Sequence, residues 1–363
     1  MGDRWEARIL GEDRYPAWNT FVAEAPGGSP YADTRYLDLL SRWAGGRFQV
    51  VAVFKGDELV GGLPLYERRS ATGRYVAPRL LLYYNGFVLR ARRSQYPSRA
   101  AREERRALAC LEEALQDLGH AQVVLRSRSQ VTDLRILQAN GWALQPGYTY
   151  EVPITDLDGA WSRMEQNLRR QVKRARNEGV EVTEDDDFEA FYQLHVHVHQ
   201  RKGAPLYLPR NAYRQYVHGL LAHDLARLFH ARLPDGRVVS TQLVLTSQHP
   251  VTHTVCAAAQ DVQASSGATA LLRWEALRRL SKAGYAATDL TDAALNPVTR
   301  FKEQLGGDLR LSLAASRRTS PAFRVEAGLR TGVHRTRAVA RAAARRGAGW
   351  LGNGRGSNTG ERP

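Results

Sequence analysis

Two stretches of the sequence place apolar, β-prone runs on either side of a short polar turn. The first covers residues 48–66 around Lys55-Gly56-Asp57-Glu58, and the second covers residues 226–245 around Pro234-Asp235-Gly236-Arg237. Runs of this kind around an Asp/Gly turn are typical of β-hairpins. The pattern therefore predicts the same strand–turn–strand unit in both halves of the chain.

A helix, a glycine and another strand follow each predicted hairpin. Apolar residues at three- and four-residue steps predict helices over residues 106–115 and 270–280. Gly119 and Gly284 follow these helices, where a helix end favours a positive φ. The two units lie about 165–180 residues apart, which is too far for a solenoid repeat and indicates a duplicated domain. The further predicted strands are residues 122–125 and 287–290.

Between the halves, the sequence predicts one long helix from Asp156 to Gly179. Two more helices are predicted over residues 187–200 and 210–223. The apolar stripe of the long helix consists of Trp161, Met164, Leu168, Val172 and Ala175.

The length of 363 residues exceeds one ordinary hydrophobic core and predicts two domains, residues 1–150 and 151–316. The segment 317–363 is rich in Arg, Ala and Gly, and its low-complexity end predicts disorder. Residues 324–346 have the pattern of a basic amphipathic helix. From Ser316 onward the chain holds eleven Arg and two Glu, which accounts for +9 of the net charge of +15. The body is therefore only mildly basic and does not by itself indicate a nucleic-acid-binding protein.

The number of cysteines and the N-terminal sequence indicate in which cellular compartment the protein is expected. Cys110 and Cys256 are the only cysteines, too few to staple a chain of this length or to build a zinc site. The N-terminus carries acidic residues and no apolar signal-peptide core. No apolar run approaches the roughly 20 residues that cross a bilayer. These features predict a cytoplasmic protein.

The predicted long helix has a second, strongly basic face. Guanidinium and ammonium groups crowded on one helix face bind phosphate oxygens. A solvated helix face has the same composition, so both interpretations stay open. The candidate phosphate-binding residues on this face are Arg169, Arg170, Lys173 and Arg174.

Lys302 is the candidate catalytic residue. It follows Phe301 and lies shortly after a predicted strand that ends at Asp289. A lysine at a strand-to-loop transition stabilises an oxyanion or holds a phosphate, although a purely structural role is also compatible with the sequence.

Two further motifs bear on cofactor and metal binding. Gln263-Ala-Ser-Ser-Gly267-Ala268-Thr269 approaches the loop that binds the coenzyme A pyrophosphate at a helix N-terminus, but its glycine is displaced by one position. A small-residue N-cap explains the same residues. His195, His197 and His199 lack the Glu or Cys that would complete a metal site, so no metal is expected.

The order of these pieces resembles the Fem family. The resemblance covers roughly residues 20–316 and is strongest from residue 160 to 310. It rests on Asn167-Leu-Arg-Arg-Gln-Val-Lys-Arg-Ala-Arg-Asn-Glu-Gly-Val-Glu-Val182, Phe191-Tyr192, Arg201-Lys-Gly203, Tyr213-Arg-Gln-Tyr216, Trp274-Glu-Ala276, Gly284-Tyr285, Thr288-Asp-Leu290 and Phe301-Lys302 through Gly306-Gly307.

The resemblance implies an α/β fold of two tandem GCN5-related N-acetyltransferase-like domains, the second of them catalytic. It implies transfer of an amino acid from aminoacyl-tRNA, as co-substrate and without a free cofactor, to the stem peptide of a lipid-linked or UDP-linked peptidoglycan precursor. Lys302 would then stabilise the transition state or contact the tRNA end, and Phe301 and Asp289 would bind the substrate beside it. Arg35 and Tyr36 would lie near the precursor phosphates. The family usually has an aspartate in the stretch that corresponds here to residues 83–93, which contain no acid.

Two other functions remain open at this stage. One is acyl transfer from acetyl-CoA to a polysaccharide or metabolite amine, and the other is non-catalytic binding of RNA or membrane by a decayed enzyme fold. The basic tail has two possible partners, tRNA and the anionic inner face of the membrane.

Overall fold

The computed structural model describes residues 4–79, 81–260, 262–295, 297–318 and 320–323. Of the tail predicted over residues 317–363, Arg317 and Arg318 belong to a strand. Residues 324–363, with the helix predicted over 324–346, lie outside the described part of the chain. The strands are β1 (Trp5–Ile9), β2 (Arg47–Lys55), β3 (Glu58–Ser70), β4 (Gly73–Val76), β5 (Val88–Leu89), β6 (Gln122–Ser127), β7 (Ala143–Pro153), β8 (Glu181–Glu184), β9 (Ala226–Arg232), β10 (Val238–Leu245), β11 (Val251–Ala259), β12 (Ala287–Asp289) and β13 (Asp308–Arg318). The helices are α1 (Tyr15–Glu24), α2 (Thr34–Ala44), α3 (Pro97–Asp117), α4 (Arg135–Ala139), α5 (Leu157–Arg163), α6 (Gln166–Asn177), α7 (Phe188–Lys202), α8 (Arg210–Ala222), α9 (Val262–Lys282) and α10 (Pro297–Gln304).

Both predicted hairpins are confirmed as the antiparallel pairs β2–β3 and β9–β10. Both helix–glycine–strand units are confirmed as well. Helices α3 and α9 have the same length of 21 residues, and Gly119 and Gly284 follow them with φ of 64° and 89°. The helix, the glycine and the strand after it recur at one offset of 165 residues (262 − 97, 284 − 119 and 287 − 122), and the hairpins recur at a slightly larger one. The predicted duplication is therefore visible in the fold.

One continuous sheet joins the two halves, in the order β1-β2-β3-β4-β6-β13-β7-β12-β11-β10-β9-β8. The halves exchange their last strands. Strand β13, from the end of the described chain, pairs with β6 of the first half, whereas β7 pairs with β12 of the second half. Because β7 and β13 also pair with each other, the exchange locks the halves together. The domain boundary predicted after residue 150 falls inside β7. The sequence did not indicate this, because a strand exchange produces no local sequence pattern.

Helices cover the sheet and close separate cores. Helices α6 and α9 pack on each other over the second half, where Leu168, Val172 and Ala175 of α6 are buried. Helix α3 covers the first half through Leu108, Leu111 and Leu115. A third core, between the halves, contains aromatic residues of α2 and α8, and Tyr216 donates a hydrogen bond to Tyr36 there.

The single helix predicted from Asp156 to Gly179 is wrong in one respect, because it is interrupted. Met164 and Glu165 have extended backbone, with ψ of 141° and 143°, and separate α5 from α6. The Glu165 amide donates to Gln304 O instead of continuing the helix. The apolar period hid the break because Met164 stays buried across it. The interruption docks the start of the basic helix onto the end of α10. No helix among the described residues is long and apolar enough to span a bilayer.

Candidate active site

The candidate site lies where two neighbouring strands separate. Strands β11 and β12 pair in parallel only over Val251–His253 and Ala287–Asp289. Beyond this pairing β11 continues to Ala259, while the chain after β12 turns away. Side chains and backbone groups from several elements gather at this divergence. We use "strand-end site" for Arg273, Asp289, Thr291, Asp292 and Lys302.

The turn after β12 is strained. Thr291 and Asp292 have φ of 46° and 56°, a left-handed conformation that is unfavourable for residues with a Cβ. Two hydrogen bonds hold it: the Thr291 amide donates to Asp289 Oδ1 at 2.7 Å, and Thr291 Oγ1 donates to Thr254 O at 2.7 Å. This conformation presents two successive carbonyl groups to one side chain, that of Lys302.

Lys302 binds those carbonyl groups. Its Nζ donates to Thr291 O and, at 2.6 Å, to Asp292 O. An ammonium has three N–H donors, so one remains for another acceptor. Burial and the neighbouring Arg273 lower the pKa of Lys302 from 10.5 to about 8, against the opposing effect of Asp292 and Asp289. The sequence suggested that Lys302 lies at a strand-to-loop transition. In the structure Lys302 lies instead in the last turn of α10.

Arg273 is the second cation of the strand-end site. It projects from α9, and its Nε and Nη1 are buried with no hydrogen-bond partner. The residue as a whole is partly accessible. Burial lowers the pKa of Arg273 to about 10, so the guanidinium remains charged at neutral pH.

Asp289 supports the site from beneath. Its carboxylate is 1% exposed and accepts hydrogen bonds from Thr149 Oγ1 at 2.6 Å and from Tyr84 OH at 3.0 Å. Burial raises the pKa of Asp289, although Arg128 and these donors oppose the shift. Since each Asp289 oxygen already has a donor, the residue positions the Thr291 turn and does not reach a substrate directly.

The first half contributes an aromatic wall. Tyr83 and Tyr84 come from the stretch in which the sequence lacked the family's aspartate, and their rings meet edge to face at 4.8 Å. The Arg126 guanidinium lies 4.7 Å from the centre of the Tyr83 ring. Burial raises the pKa of Tyr83 to about 12, with Asp292 and Asp289 among its charged neighbours. Residues of both halves therefore meet at the strand-end site.

The structure does not bring Arg35 to Lys302. Arg35 is exposed, pairs with Asp33 at 2.6 Å and lines a separate groove of about 660 Å³ with residues of α1 and α2. Tyr36 is 0% exposed inside the core, and its hydroxyl donates to Leu81 O. Tyr36 thus stabilises the groove from behind, and its predicted contact with a substrate does not fit this position. Phe301 packs partly buried against the second-half core.

The four predicted phosphate-binding residues all lie on α6. Arg170, Lys173 and Arg174 are exposed, whereas Arg169 is partly buried with an unpartnered Nε. Arg174 pairs with Glu178 at 2.7 Å, which uses part of its charge. Arg170 and Lys173 form no ion pair within the described ranges. The helix is docked at its start, because Gln304 Nε2 donates to Glu165 Oε2 at 3.0 Å.

The coenzyme A motif has a packing explanation. Residues 263–269 lie inside α9, not in a loop. A Cβ at Gly267 would lie 3.2 Å from Gln171 O and 3.3 Å from Ala175 Cβ. The glycine therefore permits close approach of α6 and α9, which does not require a bound pyrophosphate.

Nucleophiles and metal ligands are poorly represented in the described part of the chain. Cys256 is buried, and burial raises the pKa of its thiol to about 12, which keeps it protonated. Burial lowers the pKa of His195 to about 4. No group of three potential metal ligands occurs among the described residues.

Arg273, Tyr84 and the Thr291 turn were missed by sequence reasoning. One signal was available for Arg273. At the constant offset of the duplicated helices it corresponds to Leu108, so a charge stands where the other half has a core residue. The turn had no such signal, because its left-handed residues are neither Gly nor Asn.

Comparison with known proteins defines the class. A family model described as "Acetyltransferase (GNAT) domain" matches residues 162–303, which include α9, Lys302 and α6. With the duplicated fold, this match makes the chain an acyltransferase of tandem GNAT architecture. No curated protein matches the sequence.

Solved structures place the fold more closely. FemX shares 13% identity with a TM-score of 0.68, over 85% of this chain and 96% of that one. The C-terminal domain of a putative lysylphosphatidylglycerol synthetase from Agrobacterium fabrum shares 12% identity with a TM-score of 0.55, over 88% and 96%. A tandem GNAT protein from the clavulanic acid biosynthesis pathway shares 14% identity with a TM-score of 0.53, over 88% and 99%. The predicted Fem-like tandem fold is thereby confirmed.

Proposed function

We propose that this protein transfers an amino acid from aminoacyl-tRNA to the stem-peptide amine of a peptidoglycan precursor in the cytoplasm. The observation that carries the proposal is the anchored Lys302, which keeps one N–H donor beside a second cation, Arg273. The Fem-like fold supports the same reaction class. So does the scarcity of nucleophiles in the described part of the chain, since aminolysis of an ester depends mainly on positioning and charge stabilisation.

The reaction proceeds by direct attack. The neutral acceptor amine attacks the ester carbonyl carbon, and negative charge develops on the carbonyl oxygen. Lys302 stabilises that oxyanion through its remaining N–H. Collapse of the intermediate forms the amide and breaks the ester bond, and the amine's proton passes to the departing ribose oxygen. Products are the aminoacylated precursor and uncharged tRNA.

A second function is an acyl-CoA-dependent N-acyltransferase. The GNAT family model favours it, as does the tandem GNAT neighbour, which is described as a structure without AcCoA. Against it stands Gly267, whose lack of a side chain is explained by the close contact between α6 and α9.

A donor screen tests both functions. Purified full-length protein is given labelled aminoacyl-tRNAs or acetyl-CoA, with UDP-linked precursor, lipid-linked precursor or phosphatidylglycerol vesicles as acceptor. The phosphatidylglycerol arm is included because one neighbour is named a lysylphosphatidylglycerol synthetase. Transfer from aminoacyl-tRNA to precursor supports the proposal. Transfer from acetyl-CoA alone selects the second function, and binding without transfer selects a non-catalytic protein.

The pH dependence of transfer is expected to reflect the protonation state of Lys302. Deprotonation of the acceptor amine raises the rate with pH, whereas loss of the Lys302 charge lowers it above a pKa of about 8. The rate therefore falls at high pH, and the Lys302→Arg variant, which stays charged, loses this descending limb. Single-turnover rates from pH 6 to 10 measure the profile. A descending limb that persists unchanged in Lys302→Arg contradicts the assignment.

The exposed cations of α6 are expected to contribute to tRNA binding. In the Arg170→Gln, Lys173→Gln double variant, tRNA binds more weakly, and the slope of log affinity against log salt falls by about 1–2. Arg174→Gln is the matched control and has a smaller effect, because Glu178 already neutralises that guanidinium. Binding titrations at several salt concentrations measure both. Equal slopes in the double variant and the wild type would mean that this face of α6 contacts solvent and not tRNA.

A further inference from the structure

Arg273 is a partly accessible cation that forms no ion pair with the residues that the structure describes. Three of the five N–H donors of a guanidinium belong to Nε and Nη1, and in Arg273 both nitrogens are buried and unpartnered. A buried donor without an acceptor is destabilising, so buried polar groups of this kind are rare unless a water or ligand satisfies them. Of the two carboxylates in the strand-end site, that of Asp289 accepts from Thr149 and Tyr84. Asp292 offers Lys302 its backbone carbonyl, and neither carboxylate forms an ion pair with Arg273 within the described ranges.

The fold itself does not need this cation. Helices α3 and α9 have equal length, and each is followed at the same distance by a glycine of positive φ. At the position of Arg273 the first half has Leu108, which is 1% exposed in a hydrophobic core. The same helix position is thus filled by an apolar side chain where no ligand is expected. The arginine is the feature specific to the second half.

The positive groups around Arg273 favour binding of an anion. Leu272 and Trp274, on either side of Arg273, belong to the hydrophobic cluster against which Phe301, next to Lys302, packs. In line with this placement, the Arg273 charge lowers the pKa of Lys302. Helix α6, which carries Arg170 and Lys173, packs directly against α9. Like charges held together in a low dielectric are stabilised by an oxyanion between or beside them, and a guanidinium suits phosphate oxygens in particular.

We infer that Arg273 binds a phosphate group of the acyl donor and thereby positions the donor's acyl carbonyl at Lys302. This inference deepens the proposed function and rests on it. The shared chemistry is a phosphate oxyanion, supplied either by the terminal nucleotides of aminoacyl-tRNA or by coenzyme A.

The test begins with binding and needs no transfer reaction. Inorganic phosphate, uncharged tRNA and coenzyme A are each titrated calorimetrically into the wild type, Arg273→Met and Arg273→Lys. We expect Arg273→Met to weaken binding of phosphate and of the true donor product about 10- to 100-fold, and Arg273→Lys to restore part of it. Arg278→Met is the matched control, because Arg278 lies on the same helix but pairs with Glu275 at 2.9 Å. Whichever of tRNA and coenzyme A responds to Arg273→Met identifies the source of the phosphate.

Several results overturn the inference. Absence of phosphate binding by the wild type, or equal binding by wild type and Arg273→Met, means that water alone satisfies the guanidinium. In transfer assays with the active donor, Arg273→Met should raise the donor KM about tenfold and leave kcat within about threefold. A lowered kcat with an unchanged donor KM instead makes Arg273 an oxyanion-stabilising residue and contradicts the phosphate role. Failure of the donor screen leaves the titrations interpretable, so the two proposals fail separately.

Discussion

Replacing Lys302 with methionine is expected to slow acyl transfer about 100- to 1000-fold, the range seen when one oxyanion donor is removed. Methionine fills a similar volume but supplies neither the charge nor the N–H that the developing oxyanion requires. Donor KM should change little, since the group acts mainly in the transition state. Single-turnover transfer with the donor identified by the screen measures the rate.

Lys282→Met is the matched control for Lys302→Met. Lys282 is an exposed lysine in the last turn of α9, and its loss should leave the rate unchanged. Thermal unfolding of both variants separates catalysis from folding. A Lys302→Met protein that is folded and transfers within threefold of the wild-type rate removes Lys302 from the mechanism.

Replacing Gly306 with alanine is expected to destabilise the protein by about 3 kcal/mol. Gly306 has φ of 78°, and a Cβ there would lie 2.7 Å from the backbone C and O of Arg163. The left-handed backbone costs about 1 kcal/mol with a Cβ, and the collision with backbone adds about 1–3 kcal/mol. Because Arg163 Nε also donates to Gly306 O at 2.8 Å, relief of the collision separates α5 from the end of α10. Transfer activity should fall as Lys302 moves.

Gly284→Ala isolates the backbone contribution. Gly284 has a similar φ of 89°, but a Cβ there would meet nothing within 4 Å. Urea unfolding should show a loss of only about 1 kcal/mol for this variant. If both variants lose the same stability, the contact of Gly306 with Arg163 is not tight in solution.

Local sequence patterns predicted most of the scaffold, because hairpin turns and helix ends depend on residues that are close together in the chain. The turns Lys55-Gly56-Asp57-Glu58 and Pro234-Asp235-Gly236-Arg237 close the hairpins within the chain, and Gly119 and Gly284 end helices through their own backbone freedom. The apolar face of α6 was predicted for the same reason, since Leu168, Val172 and Ala175 repeat with the helical period. The basic face of α6 was predicted from the same helical period, because its charged residues lie opposite the apolar face.

The candidate site was predicted only in part. Lys302 was identified through the order of motifs, but its helix, its carbonyl partners and its lowered pKa depend on residues brought from β12 and α9. Asp289 was expected to touch the substrate, yet it is buried beneath the Thr291 turn. Tyr36 was expected with Arg35 near the precursor phosphates. Adjacent residues of a helix are rotated by about 100°, so Arg35 is exposed while Tyr36 enters the core.

The sequence by itself determined the duplicated α/β scaffold, the basic face of α6 and the candidacy of Lys302, because each depends on periodicity, turn residues or motif order along the chain. Tertiary structure alone decided the exchange of β7 and β13, the interruption at Met164, and the anchoring of Lys302 on the Thr291 turn. Those features depend on contacts between residues far apart in sequence. Burial and electrostatic coupling of such residues arise only when the sheet is assembled.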